Sequence, residues 1–369
     1  MADSHATAGA AAAATTGAVE IAPVRPGEAL DWPKIDTFVR AHVPGLTGAL
    51  SVMQFPNGSA NLTYLLRYAN QELVLRRPPF GVIAPGAHDM RREYKVLSTL
   101  WQHTRLAPRA YAFCADHDVC GADFFIMERR VGVVVRSEIP VAMRHHANVG
   151  RRIGFAVVDG MAELHSLDPV ACGLADLGKP AGFAARQVAG WRKRWELVRP
   201  ADDSGLMDAI AERLAQRAPV AQRTSFVHND LKPDNYQFDP ADPDRAKSIF
   251  DWDMTTLGDP LIDLGTLIQY WPDPGDPDFR TITSQPGMLD LGLPSRSEIA
   301  ARYAERTGTR IDDLPWWIGF AYWKTAVVVT QLYTRFARGE STDVRMQGIG
   351  ERAPRLAAQA DLTLARAGI

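Results

Sequence analysis

Between Leu50 and Gly132 the apolar residues fall in short runs of strand length; beyond Pro140 they recur at helical spacing. The first half opens with a strand over residues 50–55, a turn over 56–61 that holds Gly58 and Ser59, and a second strand over 62–68. Residues 72–78 form the next strand, and the period of two puts Val74 and Arg76 on one face. Met90, Tyr94, Leu97, Leu100 and Trp101 then mark an amphipathic helix carrying Glu93. Two more strands follow Pro108, the second running through Met127, Glu128 and Arg130 to Gly132. Its abrupt change from apolar to polar before a glycine suits a hinge between lobes. Ahead of the strands, Asp31-Trp32-Pro33 predicts a helix start with Asp31 as cap.

In the second half, residues 147–165 read as a long helix with Ile153, Val157, Met161 and Leu164 on one face and His165 packed at its end. Trp191 and Trp195, four apart, are neighbours on a helix and are expected in the core. Another amphipathic helix covers 206–217. Residues 236–238 and 247–250 alternate as a hairpin, with Pro240, Asp242, Pro243 and Asp244 as its turn. Residues 273–294, rich in Pro, Gly and Asp, read as a loop insertion. Helices over 295–307, 315–338 and about 344–364 close the chain; the middle one is apolar nearly all round and is expected to be buried. The class is therefore α+β and bilobal: a small antiparallel sheet with one helix over 31–130, and a larger, mainly helical lobe over 131–369.

Composition narrows this little. Hydrophobic residues make up 46%, enough for a sizeable core, and a net charge of −2 gives no case for nucleic-acid binding. No run approaches the ~18 apolar residues of a membrane span. Residues 1–30 hold an Ala-rich stretch, expected to be a disordered tail because Ala and Gly bury too little to offset ordering entropy. Three cysteines at 114, 120 and 172, without metal-ligand spacing or a basic leader, fit a reduced cytoplasmic protein.

The candidate chemistry lies in His228-Asn229-Asp230-Leu231-Lys232-Pro233-Asp234-Asn235 and, one hairpin later, Asp251-Trp252-Asp253. H-x-D-x-x-x-x-N followed by such an Asp is the catalytic-loop and metal-Asp set of kinases. Phosphoryl transfer needs an aligned acceptor and neutralised charge, with little covalent work by the protein. Asp230 can accept a hydroxyl proton, and Asn235 and Asp251 are oxygen ligands suited to Mg²⁺. Lys232 is a point charge for the γ-phosphate. On the strand side, Arg76 is placed as the cation for the α/β-phosphates, Glu93 as its helix partner, and Val74 as the adenine neighbour. Gly58 and Ser59 can lie over phosphates. The hinge at Met127, Glu128 and Arg130 can read adenine, through the Glu128 carbonyl and the Arg130 N–H. Asp259 is placed to cap the following helix and Asp263 to brace the loop backbone.

These motifs, together with Leu75-Arg76-Arg77-Pro78-Pro79, Arg92-Glu93-Tyr94, Leu164-His165-Ser166-Leu167-Asp168-Pro169 and the run from Asp251 to Pro260, resemble the aminoglycoside phosphotransferase and choline kinase group. The nearest likeness is to its branch of kinase-like domains found alone or fused to acyl-CoA dehydrogenases. The resemblance implies a protein-kinase-like fold and ATP- and Mg²⁺-dependent phosphorylation of a small-molecule hydroxyl. It also implies a functional association with acyl-CoA metabolism. His228-Asn229-Asp230 stands where the group commonly has His-Gly-Asp. A protein kinase is the nearest rival, but D-F-G and A-P-E are absent. A nucleotide-binding regulatory protein without turnover is the alternative outside the enzymes.

Overall fold

The computed structural model describes residues 21–56, 61–81, 89–276, 287–340 and 346–369. Gly58 and Ser59 lie outside them. Helix α1 (Trp32–His42) starts where the sequence places it: the Asp31 carboxylate accepts from the Lys34 amide at 3.2 Å, and Pro33 stands in the first turn, where it forfeits no helical bond. Strands β1 (Ser51–Gln54), β2 (Leu62–Arg67) and β3 (Glu72–Arg77) follow, then α2 (Met90–Leu100), β4 (Ala110–Cys114), the short α3 (His117–Cys120) and β5 (Phe124–Glu128). The strands form one antiparallel sheet in the order β1-β2-β3-β5-β4.

The alternation of β3 and β5 gives this sheet two apolar faces. Leu73, Leu75, Phe124 and Ile126 pack with Ile35 and Val39 of α1. Val74, Phe125 and Met127 turn the other way and join the main core. Each fully buried side chain of this size contributes roughly 1.5–3 kcal/mol, so a register slip that exchanged the faces would undo both layers. Residues 21–30, assigned by composition to the tail, belong to this layer instead. Ala22 bridges Gln54 with two 2.8 Å backbone hydrogen bonds, Tyr64 Oη donates to the Glu28 carbonyl, and Val24 and Leu30 pack on the α1 face. Two apolar side chains at the end of an Ala-rich run are enough to seat it.

The second lobe contains α4 (Val149–Ser166), α5 (Phe183–Glu196), α6 (Leu206–Gln216), β6 (Ser225–Val227), β7 (Tyr236–Asp239), β8 (Asp242–Ile249), β9 (Thr256–Gly258), α7 (Leu261–Tyr270), α8 (Arg296–Thr307), α9 (Leu314–Ala337) and α10 (Arg352–Arg366). α8 begins with a capping box between Ser295 and Glu298. α9 is buried along most of its length, as its nearly all-round apolar sequence requires.

Two local expectations are corrected, and one strand is added. Asp242, Pro243 and Asp244 belong to β8, so the hairpin turn is only Pro240-Ala241; Pro243 is tolerated because the strand pair is isolated and irregular here. β9 intervenes between Asp251 and the next helix, pairing with β6. Trp195 is buried, but Trp191 is half-buried, with the Arg194 guanidinium 4.7 Å from its ring centroid.

The lobes meet at the segment after β5. Val133 bridges Phe238 of the hairpin, and a Cβ on Gly132 would stand 2.6 Å from the Phe238 carbonyl oxygen, so only glycine permits this approach. Arg92 ties α2 across the cleft by donating to the Leu177 and Thr255 carbonyls at 3.1 and 3.0 Å.

Candidate active site

β6 delivers the chain to His228-Asn229-Asp230, and Asp263 of α7 holds it there. The fully buried Asp263 carboxylate accepts from the His228 amide and the Asn229 amide, each at 2.7 Å, and faces His165 Nε2 at 3.1 Å. Burial opposes its charge, but these hydrogen bonds, His165 foremost, hold the carboxyl below the ordinary aspartate range. His165 is thus a packed helix-end residue, completed by Tyr303 at 2.8 Å. Burial also lowers the His228 pKa, against the pull of Asp263, Asp230 and Asp251; the His228 Nε2–H donates to the Phe250 carbonyl at 2.9 Å.

Asn229 adopts φ +68°, a left-handed conformation that L-residues other than Asn and Asp seldom enter. A glycine here would meet the same need without strain. Asn229 adds something a glycine lacks: its Nδ2 donates to the Met254 carbonyl at 2.9 Å, fastening the loop to the segment beyond Asp251.

Past Asp230 the chain makes a short 3₁₀ turn over Pro233–Asn235. The turn folds Asn235 back, so that its Nδ2 meets the Asp230 carbonyl at 2.8 Å and Asp230 Oδ2 at 3.0 Å. Lys232 Nζ meets the same Oδ2 at 2.8 Å. Burial works against the Lys232 ammonium, yet Asp230 outweighs it and raises its pKa. The β7–β8 hairpin then returns the chain: Tyr236 pairs with Ile249, and the Phe250 amide donates to the Asn235 carbonyl at 2.9 Å. Asn235 and Asp251 therefore stand at the same end of the hairpin. Asp251 also has positive φ, +71°.

From the other lobe, Arg76 reaches Asp251 with Nη2 and lies 2.9 Å from Glu93 Oε2 with Nε. The Nε–Oε2 approach is an ion pair without hydrogen-bond alignment, since neither atom has a directed partner. Burial pushes the Glu93 carboxyl upward while Arg76 pulls it back, and Arg76 is itself held charged by Glu93 and Asp251. Val74, two residues back on β3, stands opposite Met127 of β5. Glu128 is fixed at the hinge by Arg130 Nε at 3.0 Å and the Arg109 amide at 3.0 Å.

The arrangement is an anionic cleft with one bridging arginine. Asp253 shows the strain of this: burial, then Asp251, push its carboxyl up to about 6. Among the described residues no three His, Cys, Asp or Glu side chains form a self-sufficient metal site. Asp230 and Asp251 keep 24% and 33% of their side chains exposed, so a ligand can reach both. A polar cleft of about 390 Å³ lined by Arg105, Asp159, Glu163, Asp244 and Arg306 contains none of these residues.

A model of the phosphotransferase enzyme family matches residues 51–285, which span the sheet, the hinge, the loop at Asp230 and the turn at Asp251. The chain belongs to this phosphotransferase family. Among curated relatives, mouse acyl-CoA dehydrogenase family member 10 is 28% identical over 334 residues, covering 89% of this chain and 31% of that protein. The chain thus spans about a third of that relative's length. Among solved structures, a provisionally assigned aminoglycoside phosphotransferase from Ralstonia eutropha superposes with a TM-score of 0.77 at 28% identity, covering 92% of this chain and 99% of that one. The aminoglycoside phosphotransferase APH(4)-Ia, solved with AMP-PNP and hygromycin B, shares the fold at TM-score 0.54 and 14% identity, over 91% of this chain and 99% of that one. No helix among the described residues of this phosphotransferase is long and apolar enough to cross a membrane.

Four features of the site escaped the sequence reading: the left-handed Asn229, the Arg76–Asp251 bridge, the Arg92 tie and Lys324. Only Lys324 had a signal, as the one lysine in the 24 residues of α9. Its Nζ donates to the Asn229 carbonyl at 3.3 Å.

Proposed function

We propose that this phosphotransferase moves the γ-phosphate of ATP to a hydroxyl of a small-molecule acceptor. The observation that carries the reading is the convergence of Asp230, Asn235 and Asp251 at one end of the hairpin, faced by the Arg76–Glu93 pair from the other lobe. Asp230 orients the acceptor hydroxyl and takes its proton late in the transfer. The acceptor oxygen bonds to the γ-phosphorus as the bond to the β–γ bridging oxygen breaks, and ADP leaves. Asn235 and Asp251 would hold Mg²⁺, which when bound neutralises charge on the phosphates. Because the Asn235 amide nitrogen faces Asp230, its oxygen is the atom left for that ligation.

Arg76, positioned by Glu93, meets the α/β-phosphates once it leaves Asp251. Lys232 serves the γ-phosphate. Val74 and Met127 flank adenine, and the Glu128 carbonyl and Arg130 N–H read its edge. The AMP-PNP complex of a protein with the same fold supports this nucleotide assignment. A protein kinase is disfavoured, because β9 begins five residues after Asp251 and leaves no long activation segment. A functional association with acyl-CoA metabolism is supported by the acyl-CoA dehydrogenase relatives.

The test is transfer of γ-labelled phosphate from ATP to a panel of hydroxyl compounds. Magnesium-dependent labelling of an acceptor, lost in Asp230→Asn, is expected. Nucleotide binding without transfer to any acceptor would favour a regulatory nucleotide-binding protein instead.

A further inference from the structure

Four acidic residues, Asp253, Asp259, Asp273 and Asp276, could draw a cationic acceptor, and the last three are held by partners within the protein while burial pushes the Asp253 carboxyl up to about 6. Asp259 caps α7 by accepting from the Leu261 amide at 2.9 Å, and Asp273 and Asp276 hold Arg296. Besides Lys232, which is paired with Asp230, two further cations stand near the loop. Lys324 of α9 places its Nζ 3.3 Å from the carbonyl oxygen of Asn229, the residue before Asp230, and 5.7 Å from the Trp191 ring centroid. Arg194 of α5 lies over the same ring at 4.7 Å, and its nearest polar contact is the Gly190 carbonyl at 3.4 Å. Lys232 is on the same loop, 5.7 Å from the Tyr270 ring centroid.

Neither Lys324 nor Arg194 is paired with a carboxylate among the described residues. Burial lowers the Lys324 pKa, and Lys232 and Arg194 lower it further, against the pull of Asp230 and Asp263. Lys324 is partly buried and Arg194 is exposed; a cation partly drawn out of water with no carboxylate in contact is costly, and a ligand anion would relieve that cost at Lys324. Trp191, half-buried between them, offers an apolar floor with cations over its face.

We propose that Lys324, Arg194 and the half-buried Trp191 form an anion subsite beside Asp230, and that the acceptor is a hydroxyl compound carrying a carboxylate or phosphate. The proposal rests on the phosphotransferase reading of Asp230. The anionic group sits against the two cations, its carbon skeleton lies on the indole, and its hydroxyl reaches the Asp230 carboxylate. A cationic aminoglycoside meets repulsion in the same place.

The experiment compares ADP release by the full chain with matched acceptors: hydroxycarboxylates, hydroxyalkyl phosphates, their neutral esters or diols, and the amino alcohols choline and kanamycin. The anionic members are expected to show KM values at least about tenfold below their neutral counterparts, as charge-assisted contacts allow. The carboxylate and phosphate arms identify which anion is preferred. Arg194→Gln should raise the anionic KM by about tenfold, move the neutral KM less than about twofold, and leave Mg-ATP affinity unchanged. Preference for choline or kanamycin, or an unchanged anionic KM in Arg194→Gln, would overturn the subsite.

A second measurement does not depend on turnover. Without nucleotide, 3-hydroxybutyrate or glycerol 3-phosphate should change the intrinsic fluorescence of the wild type. That change should be lost in Trp191→Phe and weakened in Arg194→Gln. Absence of any saturable change with both probes would overturn the subsite even if ATP transfer were intact. Failure to bind Mg-ATP, with the fluorescence change present, would count against the phosphotransferase reading alone.

Discussion

Arg76 and Lys324 are both cations drawn into one cleft from opposite lobes, and their surroundings differ. Arg76, 12% exposed, lies between Glu93 and Asp251 and is fully committed to protein carboxylates. Lys324 touches a backbone carbonyl and a tryptophan face, with no carboxylate in contact among the described residues. A committed cation is held in position until something displaces it; an uncommitted one is electrostatically available to a ligand. Arg76 is thus paired at rest, while Lys324 has no carboxylate in contact among the described residues.

The largest effect expected from breaking this arrangement is on chemistry. Asp230→Asn should lower turnover by roughly 10²–10⁴-fold, the range for a positioned base, in a steady-state assay with the true acceptor. Next comes stability on the committed side. Arg76→Ala leaves two carboxylates unpaired, and urea denaturation should show a loss of about 3 kcal/mol, near the low end for breaking a buried ion pair. Arg194→Gln, on the uncommitted side, should stay within about 0.5 kcal/mol of wild type in the same experiment. Equal losses would remove the contrast.

A smaller effect is expected at Asn229. Asn229→Ala keeps the left-handed φ without the Met254 hydrogen bond and should cost about 2 kcal/mol, from roughly 1 kcal/mol each for conformation and bond. Asn229→Gly relieves the conformation and should cost less; the reverse order in thermal melts would contradict the strain argument.

The smallest effect concerns pH. The Asp263 carboxyl is held below its unfolded value, so its contribution to stability is present above the ordinary aspartate range and lost as pH falls through its folded value. Asp263→Asn should therefore flatten the acid limb of the stability profile relative to wild type. An unchanged acid limb would remove Asp263 from the linkage.

Much of the fold and of the geometry around Asp230 was legible in the sequence because the motif is local. Asp230, Asn235 and Asp251 lie within 22 residues joined by one hairpin, and the pattern of two and of 3.6 separates the lobes. The Arg76–Glu93 pair followed from a strand cation and a helix glutamate, and Asp263 from its place in the first turn after the loop. What could not be read depends on tertiary distance or backbone angle. Nothing in a linear pattern shows that Arg76 meets Asp251, 175 positions away, or that Asn229 is left-handed. β9 is three residues long and needs β6 to exist. Trp191 looked like core because spacing reveals which residues share a helix face, not what lies over that face.

The central claim is that Asp230 meets the acceptor while Asp251 meets the metal. Titrating Asp230→Asn and Asp251→Asn with ATP, with and without magnesium, by calorimetry tests it most directly. Asp230→Asn should bind Mg-ATP as the wild type does, and Asp251→Asn should lose the magnesium-dependent part of the affinity. Loss of Mg-ATP binding in Asp230→Asn with retention in Asp251→Asn would contradict the account.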